Sequence, residues 1–308
     1  MAIFDFINKP LGMLLGWVYG LVGSYGLALI IFTVIVRIIL APLAVKQQKS
    51  MIQTARLSPV IADIQKRYKH DQQKQSEELM KLYQQEKANP MSGCLPMLIQ
   101  LPIIIALYTV ISRPLVYIVG MTNEAILSAA SKLNIADVTE QTLRAKEIII
   151  AQSMYENQSL FPELSGKLID FNFLGLNLGL TPSISEFSVL WIIPLLAAVT
   201  GYLSSYVTMK MSPSAMASAG NPQAQSMNKS MMVTMPLISL FFTFTMPAGI
   251  GIYWSISNVL MIFQQFILNK AVPMPTEEEI EELKRTYAKE KKQIQTKPAK
   301  KRSIYDDD

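Results

Sequence analysis

Residues 33–43 read TVIVRIILAPL, a hydrocarbon-like stretch with a fixed positive charge, Arg37, near its middle. The apolar run that holds it, 21–45, is long enough for a bilayer, which needs ~20 predominantly apolar residues. An arginine at mid-span costs at least ~2.5–3.5 kcal/mol on insertion scales. Arg37 stands nine residues before Lys46, the first charge beyond the run. Roughly 13 Å of helix separates the two, which snorkelling shortens without removing the cost.

The rest of the chain is of the same kind. Of 308 residues, 50% are hydrophobic and 17% charged, too few charges and too many long apolar runs for a soluble domain of this size. Further runs near bilayer length occur at 95–119, 187–209, 231–247 and 249–269. Only MPAGIG (246–251) divides the last two, so they are expected to form a membrane hairpin, residues 231–269. Five spans result.

Lysine and arginine set their direction. Residues 46–90 carry nine and the tail from 270 carries ten. The 120–186 loop carries four, against eight acids. The positive-inside rule then puts 46–94, 210–230 and the tail 270–308 in the cytoplasm, with the N-terminus and the loop 120–186 outside. Residues 1–20 show neither a basic leader nor a cleavage site. With glycines at 12, 16 and 20 they are expected to form an interfacial segment feeding the first span.

No Asp or Glu lies in any of the five runs, the nearest being Glu186 at the outer edge. Arg37 must therefore face a water-filled cavity, accept neutral partners, or await a negative group from another molecule. Neutral partners recur at helical spacing. Thr200, Ser204 and Thr208 form one stripe, and Trp254, Asn258, Met261 and Gln265 another, with Ser257 and Gln264 adjoining. Either stripe alone is ordinary helix–helix glue; together with Arg37 they predict one wet, positively charged cavity. Arg113, before Pro114 at the outer end of its run, is expected to snorkel.

Other segments leave alternatives open. In 46–90, Ser58-Pro59 marks a helix start with Ser58 as cap, and Asp71 caps a second helix. The pair is either a solvated connector or a docking arm. Seven methionines between 209 and 235 form either an adaptable binding surface or a merely mobile apolar loop. The tail begins PTEEEIEELKRTYAKEKK (275–292), with Thr276 and Glu279 at capping-box spacing. Its end, KPAKKRSIYDDD (297–308), binds anionic lipid or ribosomal RNA through phosphates, or serves only to fix topology.

Several function classes are disfavoured. Proton-coupled transport needs intramembrane acids or histidines, and the one histidine, His70, is in a polar segment. Cys94 is the sole cysteine, so neither a disulfide framework nor a His/Cys metal site is expected. No nucleotide loop, zinc-protease motif or nucleophile elbow occurs, so neither a cofactor nor enzyme chemistry is expected. A passive small-anion channel or transporter built on Arg37 and a structural accessory of the secretory translocon stay open.

Three stretches carry a resemblance: FTVIVRIILAPL (32–43), ANPMSGCLPMLIQLPIIIALYTVI (88–111) and NPQAQSMNKSMMVTMPLISLFFTFTMPAGIGIYWSISNVLMIFQQFILNK (221–270). In order and spacing the chain resembles the YidC/Oxa/Alb family of membrane protein insertases, in its short bacterial form. The resemblance implies an all-α polytopic protein of five transmembrane helices. They would enclose a hydrophilic groove open to cytoplasm and lipid, with a cytoplasmic helical hairpin. The family's groove arginine falls on Arg37, and the expected groove residues are Arg37, Thr200, Ser204, Trp254, Asn258 and Gln265. Implied partners are nascent membrane proteins, the ribosome, the signal-recognition pathway, the Sec translocon and anionic lipids, at the bacterial cell membrane. There are two departures. No cysteine precedes Cys94, where many short members carry a lipidated one, so an unprocessed N-terminus is expected. VTMKM (207–211) also replaces the glutamines often found at the end of the third span.

Overall fold

The computed structural model describes residues 2–89, 95–211, 222–276, 278–283 and 285–287. Cys94, residues 212–221 of the methionine-rich loop and the basic end of the tail lie outside the described residues. The chain is mostly helical. Helix α1 (Ala2–Val22) ends at Gly23, whose left-handed φ of 66° supplies the turn a side chain would resist. Helix α2 (Tyr25–Arg56) then runs for 32 residues, about 48 Å, against a hydrocarbon core of ~30 Å. The change from apolar to basic sequence at residue 46 is thus not a break in the helix. Nothing between 45 and 56 caps or interrupts it.

Only Leu57 separates α2 from α3 (Ser58–Arg67). Ser58 is already helical and makes no capping bond, contrary to its expected role, because the chain turns at Leu57 with right-handed helical geometry. Asp71 does cap α4 (Gln72–Gln85), accepting from the Lys74 amide at 3.0 Å. Helices α3 and α4 close on Leu57, Ile61, Ile64 and Leu82, and the tail supplies Leu283 and Tyr287 to the same cluster. Arg56 pairs with Glu279 at 3.7 Å, and the Tyr287 hydroxyl bonds Glu86. The tail helix starts at a reciprocal capping box. Thr276 N donates to Glu279 Oε2 at 3.3 Å, and Glu279 N to Thr276 Oγ1 at 3.2 Å. Thr276→Ala should cost this helix about 1 kcal/mol, seen as faster amide exchange at 279–287 with exchange in α2 unchanged.

Helix α5 (Leu95–Ser112) stops at Arg113-Pro114 and continues as a π-helical turn, Leu115–Val119. The following loop is built of α6 (Asn123–Lys132), α7 (Leu143–Glu156) and a minimal antiparallel hairpin, β1 (Asn172–Phe173) and β2 (Leu176–Asn177). It is not a loose connector. Ile126, Ile150, Met154, Phe171 and Leu178 share one core with Leu15, Tyr25, Leu29 and Phe32 of the first two helices. The Tyr19 hydroxyl donates to the Leu168 carbonyl at 2.9 Å and accepts from the Asp170 amide at 3.0 Å.

Three apolar helices follow: α8 (Ile192–Met211), α9 (Pro222–Thr243) and α10 (Ala248–Ala271). The expected hairpin of the last two takes a different form. Both pack chiefly on α8, and they touch each other little. Gly201 explains this: it faces Pro236 of α9 and Asn258 of α10, and without a side chain it lets both approach. Ala248 and Gly249 belong to α10 itself. Their amides, left without partners at a helix start, donate to the carbonyls of Leu180 and Leu178, each at 2.8 Å. Helices α2, α8 (with the turn from Val189) and α10 are long and apolar enough to cross a membrane; 101–112 and 229–243 are shorter apolar helices.

Candidate functional site

Arg37 lies on α2 where that helix meets α10. Its guanidinium donates to the Ser257 carbonyl at 3.1 Å and to the Ser257 hydroxyl at 2.5 Å. Both acceptors are neutral. A guanidinium carries five N–H donors, and both of these bonds run from one terminal nitrogen to Ser257. None of its nitrogens is among the buried unpartnered atoms. Next to it Ile38 and Ile39 are two-thirds exposed, an apolar flank directed away from the bundle.

The polar stripes meet each other more than they meet Arg37. On the α8–α10 contact, Asn258 Nδ2 donates to Thr200 Oγ1 at 3.4 Å, and Ser204 Oγ lies 3.3 Å from Met261 Sδ. Thr200 and Ser204 are buried, and Thr200 also returns its proton to the Leu196 carbonyl at 2.7 Å. Trp254 packs against the main apolar core. One helix therefore presents two polar edges. Ser257 faces α2, while Asn258 and Met261, one and four positions on, face α8.

A second polar cluster lies a few turns further along. Gln265 donates to Asn269 Oδ1 at 2.9 Å and to the Met211 carbonyl at 3.3 Å. Asn269 donates to the same carbonyl at 2.8 Å and accepts from Gln48 at 3.1 Å. These three amides tie α2 and α10 to the C-terminal end of α8, satisfying a carbonyl the helix cannot bond itself. Gln265 was visible in its stripe. Asn269 continues that stripe by one turn, and Gln48 was hidden among lysines.

Arg113 does not snorkel. Its Nε donates to Glu147 Oε2 at 2.8 Å and its terminal nitrogen to Asn123 Oδ1 at 2.7 Å. Glu147, fully buried on α7, also accepts from the Val116 amide at 3.0 Å. Burial pushes its carboxyl up, and the Arg113 and Val116 hydrogen bonds pull it back. Its partner comes from the 120–186 loop, 34 residues along the chain, and not from another span.

Among the described residues no group of three His, Cys, Asp or Glu side chains is placed to hold a metal ion. A family model described as the 60Kd inner membrane protein matches residues 17–276. The chain belongs to the YidC/Oxa/Alb family. It is 34% identical over 276 residues to a membrane protein insertase YidC of Granulibacter bethesdensis, covering 89% of this chain and 40% of that one. A YidC of Caulobacter vibrioides is 32% identical over 270 residues, or 87% and 37%. The chain thus spans about two fifths of the length of these YidC relatives. Against a YidC of Caldanaerobacter subterraneus, 32% identical over 261 residues, the shares are 85% and 93%. Family membership and the long apolar helices together make this a bacterial membrane protein.

Proposed function

We propose that the chain is a membrane protein insertase that receives nascent membrane proteins in a hydrophilic groove and releases their apolar spans into lipid. The groove is bounded by the five apolar helices α2, α5, α8, α9 and α10, with Arg37 as its fixed charge. Thr200, Ser204, Ser257, Asn258 and Gln265 form its polar wall, and Trp254 its apolar margin. The names of the relatives support the activity. The observation that carries the mechanism is Arg37 itself, an arginine within an apolar run whose Ser257 acceptors are neutral.

A client's acidic tail supplies what the fold leaves out. At ~4 Å and an effective dielectric near 20, a carboxylate and Arg37 attract by about 4 kcal/mol. That offsets part of the tail's desolvation without trapping it. Transfer of the client's apolar span to lipid, roughly 25 cal/mol per Å² removed from water, drives the step that follows. No covalent chemistry is involved. In this scheme the N-terminus and the loop 120–186 are outside. Helices α3 and α4 form a cytoplasmic hairpin that, with the tail, meets the ribosome, the signal-recognition pathway, the Sec translocon or anionic lipid.

The test uses purified protein in otherwise protein-free liposomes and a single-span client with a short acidic tail. Wild type should insert it, and Arg37→Ala should slow insertion about tenfold, equivalent to about 1.4 kcal/mol and within the reach of the ion pair. A neutral-tailed client should be affected less. Equal loss for both clients would remove charge pairing from the mechanism. Failure of wild type to insert either client, or a steady leak of small anions through it, would overturn the insertase itself.

A further inference from the structure

The turn between β1 and β2 is Leu174-Gly175, with φ of 51° and 79°. Glycine takes this left-handed geometry freely and asparagine tolerates it; leucine carries a steric penalty there. Leu174 recovers none of that penalty by packing, since it is 86% exposed. A strained, exposed leucine needs a reason outside the chain. It is not alone. Ile184, Phe187 and Val189, further along the same outer loop, are 61%, 87% and 76% exposed.

These side chains share one level of the molecule. Phe173, beside Leu174, fills the space over Gly26, at the start of α2. Phe187 stacks at 5.4 Å on Trp191, which meets Phe244 at 4.9 Å, where α8 begins and α9 has just ended. Trp191 keeps its indole N–H on the Ser183 carbonyl at 2.8 Å, an aromatic body with its polar edge satisfied. From Val189 the exposed apolar surface continues along α8 through Ile192, Leu196, Val199 and Leu203, at helical spacing and without interruption. The patch is therefore an extension of a membrane-crossing surface. The loop's acidic excess disfavours a charge-driven contact with anionic headgroups.

We propose that Leu174, Ile184, Phe187 and Val189 are a lipid-contacting surface that seats the outer loop in the interfacial layer of the outer leaflet. The inference rests on the outward placement of the 120–186 loop in the proposed function. The contact is with the apolar upper part of the acyl chains. It holds the outer end of the bundle flush with the bilayer. The strained turn persists because lipid removes Leu174 from water.

Single cysteines at 174, 184 and 187, in a Cys94→Ser background, would carry a nitroxide in zwitterionic proteoliposomes. Positions 163 and 199 serve as references for water and hydrocarbon. Labels at 174, 184 and 187 should collide several-fold more often with oxygen than with a water-soluble nickel chelate, and the label at 163 should show the reverse. If 199 reports hydrocarbon while 174 and 187 match 163, the lipid-contact proposal fails and the membrane placement of α8 stands. If 199 itself reports water, the span assignment fails first. Protection that appears only when a partner protein is added would replace lipid by a protein surface and overturn the proposal.

Discussion

Replacing Glu147 by alanine is expected to destabilise the folded chain by about 3–5 kcal/mol, the usual cost of breaking a buried ion pair from one side. The loss does not measure how favourable the pair is. Burial pushes the Glu147 carboxyl up despite Arg113, so much of the attraction is spent on desolvation. Removing the carboxylate leaves Arg113, only 18% exposed, without its charge partner, and the Val116 amide without an acceptor. The double replacement Arg113→Met with Glu147→Leu should therefore recover most of the loss, with unfolding midpoints in detergent as the readout. The pH dependence has a definite sign. A carboxyl held above its unfolded value contributes stability that is complete below that value and is lost as pH rises through the folded one. Glu147→Gln should accordingly flatten the decline in stability above about pH 4.5.

Gly12→Ala should also be costly, by about 1–3 kcal/mol, and Gly20 provides the control. A Cβ on Gly12 would lie 2.5 Å from the Tyr117 carbonyl oxygen and 2.8 Å from the Tyr117 Cβ. A backbone carbonyl cannot swing aside as a side-chain tip can, so α1 must move away from the π-helical turn 115–119. Gly16 meets the Ile118 carbonyl in the same way, at 2.9 Å. Gly20, with nothing within 4 Å, has only its helix propensity to change. Gly20→Ala should leave stability equal or raise it by up to about 1 kcal/mol. Hydrogen exchange of residues 8–20 would separate the two variants: faster for Gly12→Ala, unchanged or slower for Gly20→Ala.

Local chemistry was readable from the chain wherever a few neighbouring residues determine it. Asp71 and the Thr276–Glu279 box cap their helices because a cap needs only its own turn. The apolar runs became helices because a helix is the one arrangement in which a single segment satisfies its own backbone hydrogen bonds in hydrocarbon. Arg37 stood out because its charge conflicts with everything around it. Contacts set by three-dimensional packing were less legible. Ser257 was noted only as adjoining a stripe, since a periodicity of side chains says nothing about a carbonyl turned toward another helix. Arg113 and Glu147 are joined by the path of a loop that holds four basic residues and eight acids, any of which charge alone would have allowed. Helices α9 and α10 look paired by their short turn, yet the small side of α8 decides where both lie.

The carbonyls of Leu178 and Leu180 that receive the first amides of α10 bear on how the protein itself is made. Synthesis proceeds from the N-terminus, so those two residues leave the ribosome about seventy positions before Ala248 does. The acceptors for the last helix are thus synthesised before the helix that uses them. Its leading amides, which no turn of their own helix can satisfy, are bonded to those carbonyls. The chain thus carries, in its own earlier segments, the acceptors that fix the start of its final helix.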